Sequence, residues 1–327
     1  MENYKDLLAI CIPTYNRGYA INEILQIMCP IMDKYGITIN ISDNASTDNT
    51  EQIINEYINK YPKVIRYFRQ DLNVGPDKNY EFILSKVNTK YRWLMGDCCY
   101  VTEEELMPLL EDIRTGINYN LIVATNKNRT RISGQSKVYT DSIELFDEMC
   151  WHMTWISTLI YSEKLIKHAS FERFYNSNFI QTGIIFEYLS NKECLVKVNT
   201  SIGISSLDIE RKGHWTSIAF EIFCKKWYHF IMSLPVYYPI ENKYKCILSH
   251  DKNVGLFSLK NVFLYRRLNY LNKSIFNKYK LYIKKAVYSP YILIFLIANT
   301  PRFIIIIGNF VIKLFKRHLN MFFYVKQ

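Results

Sequence analysis

The sequence predicts an α/β protein: a doubly wound, Rossmann-like, mostly parallel sheet followed by a helical, basic C-terminal region. Two apolar runs end abruptly in polar tips, Pro13-Thr14-Tyr15-Asn16-Arg17 and Asp43-Asn44-Ala45-Ser46-Thr47-Asp48, and a helix-length segment separates them. That is a β-α-β start, and the alternation continues through four successive β-α units. The charge then changes character. The chain carries a net +11, but residues 251–327 hold 14 Lys or Arg against one Asp, so residues 1–250 sum to −2.

In order, residues 7–12 read as the first strand and 20–34 as an amphipathic helix ended by Gly36. Residues 38–43 make the second strand and 48–60 the second helix, whose Ile53, Ile54, Tyr57 and Ile58 recur at helical spacing. Residues 64–68 form a third strand. Asn73-Val74-Gly75-Pro76-Asp77 then turns into a third helix, with Pro76 near its first position and Asp77 in its first turn. Residues 91–95 form a fourth strand ending at Gly96-Asp97-Cys98-Cys99, followed by a helix from Glu103 to about Thr115 and a strand at 121–124. Beyond residue 129 the pattern loosens, with a strand expected at 156–161, a helix at 179–189 and helical periodicity from His214 onward. The expected division is 1–212, in halves 1–101 and 102–212, and a helical region 213–327.

With 327 residues, 49% hydrophobic and 22% charged, the chain can bury a sizeable core. Eight scattered cysteines without Cys-x-x-Cys spacing read as reduced, buried thiols of a cytosolic protein, and the first residues lack the basic and apolar regions of a secretory signal. The stretch 288–307 is strongly apolar, but Pro301-Arg302 interrupts it, whereas a bilayer span needs about 20 predominantly apolar residues. Its basic flanks, Lys284, Lys285, Lys313, Lys316 and Arg317, favour an in-plane membrane anchor reaching anionic lipids over two core helices. The 26 tyrosines suit half-wet surfaces of that kind. Interleaving of the charges with long aliphatic runs argues against nucleic acid as the partner. No Gly-x-Gly-x-x-Gly follows the first strand, which argues against a dinucleotide-dependent oxidoreductase.

Parallel strands with right-handed crossovers bring their carboxyl ends to one side, and ligands of open α/β sheets bind outside those ends. The polar tips thus face one crevice. Asn44, Ala45 and Ser46 are read as turn and cap residues, while Asp43 is read as a ligand. A fixed carboxylate there can accept the imide N–H of uracil or guanine in a charge-assisted bond.

Taken in order, Pro13-Thr14-Tyr15-Asn16-Arg17, Asp43 to Asp48, Asn73-Val74-Gly75 and Trp93-Leu94-Met95-Gly96-Asp97 resemble the family-2 glycosyltransferases of GT-A fold, in particular the abequosyltransferase-like branch that builds surface polysaccharides. The resemblance covers roughly residues 7–101. It implies that Pro13, Thr14, Tyr15, Arg17 and Asp43 hold the nucleotide, that Asn73 and Gly75 approach it from the third strand end, and that 1–101 and 102–212 are donor and acceptor halves. For Asn73 and Gly75 a simple turn is an equal alternative. The family's Asp-x-Asp element contacts ribose and a divalent cation, Mg²⁺ or Mn²⁺, on the donor diphosphate. Here Asp97 remains as its carboxylate and metal ligand, but Cys98 and Cys99 stand where two aspartates are usual, which implies weak or altered metal use.

An inverting transfer also needs a carboxylate to deprotonate the acceptor hydroxyl. The segment matching the family's base is Asn178-Phe179-Ile180-Gln181-Thr182-Gly183, where Gln181 can position an acceptor but not take a proton. Asp147, Glu148, His152, Asp208 and His214 are the other candidates, His214 beside Trp215 foremost, although an ordinary surface or capping role is preferred for each. Trp151, Trp155 and Ser157 fit an acceptor surface, with core packing as the alternative and the preferred reading for Trp155. The resulting expectation is a glycosyltransferase on the cytoplasmic face of the cell membrane. It would take a sugar from a nucleotide-diphosphate donor to a polyprenyl-diphosphate-linked saccharide for capsule or O-antigen. The alternative is a non-catalytic glycosyltransferase-like scaffold.

Overall fold

The computed structural model describes residues 3–125, 132, 135–208 and 215–307. The chain divides into two compact units, residues 1–210 with 230–246, and residues 211–229 with 247–327.

The first unit begins with β1 (Leu8–Thr14), buried at every position as befits a strand covered on both faces. It is followed by α1 (Gly18–Tyr35), which ends where Gly36 adopts φ +66° and its N–H caps Asp33, a left-handed stop that favours glycine. Next come β2 (Thr38–Asp43), α2 (Thr50–Lys60), β3 (Ile65–Arg69), α3 (Pro76–Lys86) and β4 (Tyr91–Leu94). After the short β5 (Cys99–Tyr100), Thr102 and Glu105 form a reciprocal capping box that starts α4 (Glu103–Arg114). The chain continues through β6 (Leu121–Val123), β7 (Lys137–Tyr139), α5 (Ser142–Met149), β8 (Leu159–Ser162), α6 (Glu163–Lys167), α7 (Ile180–Leu189), β9 (Val196–Val198) and β10 (Ser205–Ser206).

Among the described residues, eight strands form one sheet in the order β3-β2-β1-β4-β8-β6-β9-β7. β3, β2, β1 and β4 are mutually parallel, whereas β8 enters antiparallel between β4 and β6. One face is an apolar wall in which Ile10, Ile12, Ile39, Ile41, Trp93, Ile122 and Ile160 meet Ile24, Leu25 and Met28 of α1 and Leu106 and Leu110 of α4. The other carries the buried Asn40, Ser42 and Arg92. It packs under α3, where the Ser42 hydroxyl donates to Asn79 Oδ1 and Asn79 Nδ2 returns a bond to the Ser42 carbonyl.

The strand expected at 156–161 is displaced. Residues Ile156–Thr158 form a 3₁₀ turn and β8 starts only at Leu159, because the Trp155 carbonyl accepts both the N–H and the hydroxyl of Thr158. β7, α5, α6 and β9 lie in the stretch where periodicity is weak.

The second unit is helical. In the stretch where helical periodicity is expected, the chain forms a 3₁₀ turn at Trp215–Ile218, a π-helical segment at Glu221–Lys226 and then α8 (Trp227–Ser233), of which residues 230–233 belong to the first unit. α9 (Ile240–Val254) enters the second unit at Ile247, and α10 (Leu259–Arg267), α11 (Lys273–Ala286) and α12 (Tyr291–Asn299) follow within it. Arg266 clamps the Thr300 carbonyl with Nε at 2.9 Å and Nη2 at 2.8 Å, and Asp251 accepts from the N–H groups of Phe257 and Tyr288. Among the described residues no helix is long and apolar enough to cross a membrane. Lys313, Lys316 and Arg317 lie outside the described residues.

Candidate active site at the strand ends

The carboxyl ends of β1, β2, β3 and β4 are tied to one another by side chains. Thr14 closes β1, and its hydroxyl donates to Asp97 Oδ2 at 3.1 Å, joining the β1 and β4 tips. The Thr14 carbonyl accepts from Asn44 N–H at 2.9 Å, which joins β1 to β2. Pro13 is buried, whereas Tyr15, just past the strand, is 43% exposed at the edge of the site. Arg17 caps α1 half-buried, and its N–H donates to Thr50 Oγ1 at 3.2 Å.

Asp43 is the most strongly held of these groups. It is 0% exposed and accepts three bonds, from Ser46 N–H at 2.8 Å on Oδ1 and from the Tyr67 hydroxyl at 2.8 Å and Arg69 Nη1 at 2.9 Å on Oδ2. Arg69 also reaches the Ser46 carbonyl through Nη2 at 2.8 Å. Burial, together with the bond to Asp43, pushes the Tyr67 phenol well above its ordinary pKa, so it stays a proton donor. The carboxylate is consequently fixed from three sides, with capacity on Oδ1 for one more donor. Tyr67 and Arg69 are site residues that sequence reasoning missed. The signal was present: in Ile65-Arg66-Tyr67-Phe68-Arg69 the period of two puts both on one face, and the parallel register sets Asp43 opposite Arg69.

Asn44, Ala45 and Ser46 serve the backbone. Asn44 accepts from Val74 N–H at 2.8 Å and donates to Asn73 Oδ1 at 2.9 Å, and Ala45 turns at φ +61°. Ser46 Oγ accepts from Asn16 N–H at 2.8 Å. Asn73 Oδ1 in turn accepts from Gly75 N–H at 2.9 Å. Gly75 stands at φ +84°, ψ 167°, which glycine alone occupies comfortably, and a Cβ added there would meet open space. The turn therefore leaves backbone open to a ligand at the start of α3.

At the β4 tip, the Gly96 N–H donates to Ser157 Oγ at 3.0 Å and the Trp93 indole to the Ser157 carbonyl at 2.7 Å. Ser157 thus holds the turn that carries Asp97. The Cys98 carbonyl accepts from Leu207 N–H at 2.9 Å, and Cys99 pairs with Ser206 across the β5–β10 ladder. Cys98 and Cys99 are part-exposed, in contrast to the six buried cysteines.

The donor set here does not fit a resident hard cation. Mg²⁺ and Mn²⁺ take several oxygen ligands, yet the tip offers the single carboxylate of Asp97 followed by two thiols, which are soft ligands. Among the described residues no three His, Cys, Asp or Glu side chains converge.

On the acceptor side, Gln181 is buried at the start of α7. Its Nε2 donates to the Thr154 carbonyl at 3.0 Å, its backbone carbonyl accepts from the Tyr161 hydroxyl, and its Oε1 is buried without a partner among the described residues. Asp147 is engaged by Asn242 and Lys245, and Glu148 by Tyr139 and Lys137. His152 is buried against the Ala124 carbonyl, and burial lowers its pKa to about 4, so it is neutral and turned inward. Trp151 is buried with its indole on the Glu148 carbonyl, and Trp155 is half-buried. Asp208 is exposed, and His214 lies outside the described residues.

A family model for glycosyl transferase family 2 matches residues 9–174, half of the chain. The chain is 29% identical over 196 residues to the abequosyltransferase RfbV of Salmonella typhimurium, covering 57% of this chain and 51% of that protein. It therefore spans about half the length of that relative. A mannosyltransferase from Pyrobaculum calidifontis, solved with GDP-Man and Mn²⁺, superposes with a TM-score of 0.55 at 11% identity, over 90% of this chain and 86% of that one. S. aureus TarS 1-349 with UDP-GlcNAc gives 0.53 at 16% identity, over 86% and 81%. At such identities the structures speak for the fold, which is GT-A. With that fold and the match across all four tied strand ends, the chain belongs to glycosyl transferase family 2.

Proposed function

We propose that this protein is a glycosyltransferase that moves a sugar from a nucleotide-diphosphate donor to a lipid-linked saccharide. The product would be a bacterial surface polysaccharide such as O-antigen or capsule, formed with inversion at the anomeric carbon. The observation that carries the donor half of this reading is the tied set of strand ends, with Asp43 fixed by Ser46, Tyr67 and Arg69 and with Thr14 bonded to Asp97. A carboxylate held this rigidly can read a base N–H without reorganising. Exposed Tyr15 offers a ring to the base, and the open backbone at Gly75 offers a close approach to ribose or phosphate. Pro13, Arg17 and Asn73 complete this donor set, and Asp97 faces the leaving diphosphate side. The abequosyltransferase likeness supports a polysaccharide precursor as acceptor, and the apolar, basic second unit supports a station on the cytoplasmic face of the membrane.

A second reading, donor binding without transfer, draws on Gln181. It stands where a base is expected and spends its amide on the Thr154 carbonyl. The test of both is calorimetry with UDP, GDP, CDP and dTDP in Mn²⁺, Mg²⁺ or EDTA, followed by transfer to lipid-linked acceptor. Binding of one nucleoside diphosphate with transfer supports the enzyme, binding without transfer the second reading, and no binding overturns both.

A further inference from the structure

Within the second unit, α12 presents two unlike sides. Ile294, Ile297 and Ala298 are buried, and Tyr291 and Phe295 are partly covered by α11, whereas Ile292 at 59% and Leu296 at 52% are exposed on the opposite arc. The apolar surface does not end with the helix. After Pro301, Phe303 at 62% and then Ile304, Ile306 and Ile307 are exposed as well. Single exposed aliphatic residues are ordinary, but a run of this length on consecutive turns marks an interaction surface.

Its surroundings specify the occupant. From Lys252 to Gln327 the sequence has 14 Lys or Arg and no Asp or Glu. α11 packs on α12 through Phe276, whose ring lies 5.3 Å from Tyr291 and 5.5 Å from Phe295. Along its exposed side α11 lines up Lys273, Lys280, Leu281 and Lys284, and exposed Tyr288 follows it. A second copy of this chain would set cation against cation across such a face. A nucleic acid would leave the aliphatic side chains in water. An anionic bilayer satisfies both, taking the apolar side chains below its headgroups while the lysines meet lipid phosphate.

We propose that α12 and residues 302–307 lie in the plane of an anionic lipid surface, with Ile292, Leu296, Phe303 and Ile307 immersed and Lys280 and Lys284 at headgroup level. This deepens the membrane-face reading above and rests on it. The break at Pro301, where the preceding residue is driven out of helical conformation, lets two short apolar segments lie flat instead of one crossing the bilayer.

The test is sedimentation of the full chain with vesicles of phosphatidylglycerol and phosphatidylcholine in equal parts, against phosphatidylcholine alone. Each protein is also titrated with its nucleoside diphosphate without vesicles. The expected result is binding to the anionic vesicles that weakens with salt and falls roughly tenfold or more in Ile292→Asp/Leu296→Asp and in Lys280→Glu/Lys284→Glu, nucleotide affinity being unchanged. Equal binding to neutral vesicles, undiminished binding by either variant, or self-association in place of vesicle binding would overturn the proposal. Vesicle binding without nucleotide binding would instead remove the glycosyltransferase reading and leave the lipid surface standing.

Discussion

Asp43 is where stability and donor recognition should fail together. Its carboxylate is 0% exposed and satisfies the Ser46 N–H and the Tyr67 hydroxyl as well as Arg69. In Asp43→Ala, the buried Ser46 N–H and the Tyr67 hydroxyl both lose their acceptor, and a buried donor left unmet costs about 1–3 kcal/mol. Arg69 adds little to the sum, because its side chain is 37% exposed and can turn to water. The expected loss is therefore about 3 kcal/mol for Asp43→Ala and about 2 kcal/mol for Asp43→Asn, whose amide can accept one of these bonds but must point its NH₂ at another donor. Urea unfolding measures the loss, and calorimetry with the cognate nucleoside diphosphate measures binding in the folded fraction. Tyr67→Phe is the control: it removes one bond and about 1 kcal/mol but keeps the carboxylate, so nucleotide affinity should change less than about threefold. Asp43→Asn with native stability would refute the pinned carboxylate, and Asp43→Asn with native nucleotide affinity would refute its role in base recognition.

At Gly75, the backbone near φ +84°, ψ 167° is strained for any side chain, so Gly75→Ala should lower stability by about 2 kcal/mol and weaken nucleotide binding, read by thermal melts and calorimetry. Native behaviour in both would show that the turn needs neither glycine nor its open backbone. For His152, burial depresses the folded pKa to about 4, below the unfolded value of about 6.5, so the unfolded chain binds the proton first and stability falls as pH drops through that window. At pH 5 the loss is about 2 kcal/mol relative to neutral pH, and His152→Gln should flatten the fall in urea midpoint between pH 7.5 and 5. Cys98→Asp supplies a second hard ligand beside Asp97, so Mn²⁺ should strengthen its nucleotide-diphosphate binding about tenfold over EDTA, against less than about threefold in the native protein. An equal metal response in the two proteins would refute the donor-set argument.

The first four β-α units were legible in the sequence because their signals are local. Apolar runs that stop at Thr14, Asp43 and Leu94, a glycine stop at Gly36 and Pro76 at the first position of α3 each decide one boundary within a few residues. The region from residue 102 to 212 resisted for a physical reason. Its strands β6, β7 and β9 are three residues long, too short to display a period. α7 buries nine of its ten residues, Gly183 lying against the Phe174 ring, and so has no polar face from which helical periodicity can be read. The turn at 156–158 depends on a tertiary demand, since Ser157 holds both Trp93 and Gly96, and no propensity of Ile, Ser and Thr announces it.

The same contrast explains why Asp43 and Asp97 stand out as candidates while no single candidate for a base does. A nucleotide site is assembled from consecutive strand ends, so its parts recur in order along the chain, and even Tyr67 and Arg69 can be placed by register. A base needs only one carboxylate or imidazole at the right point in space, and nothing in spacing marks it. Here the candidates divide by what already holds them: Asp147 and Glu148 are engaged by lysines and His152 is turned into the core, so each side chain is already spent on a structural partner. Gln181 is held in the same manner, its amide committed to Thr154. Its Oε1 is buried without a hydrogen-bond partner among the described residues and is open to an acceptor hydroxyl. Gln181→Glu would set a carboxylate oxygen against the Thr154 carbonyl, and is expected to lower stability without raising transfer. A gain in transfer with a new acid limb in the pH profile would show that the position is a vacated base.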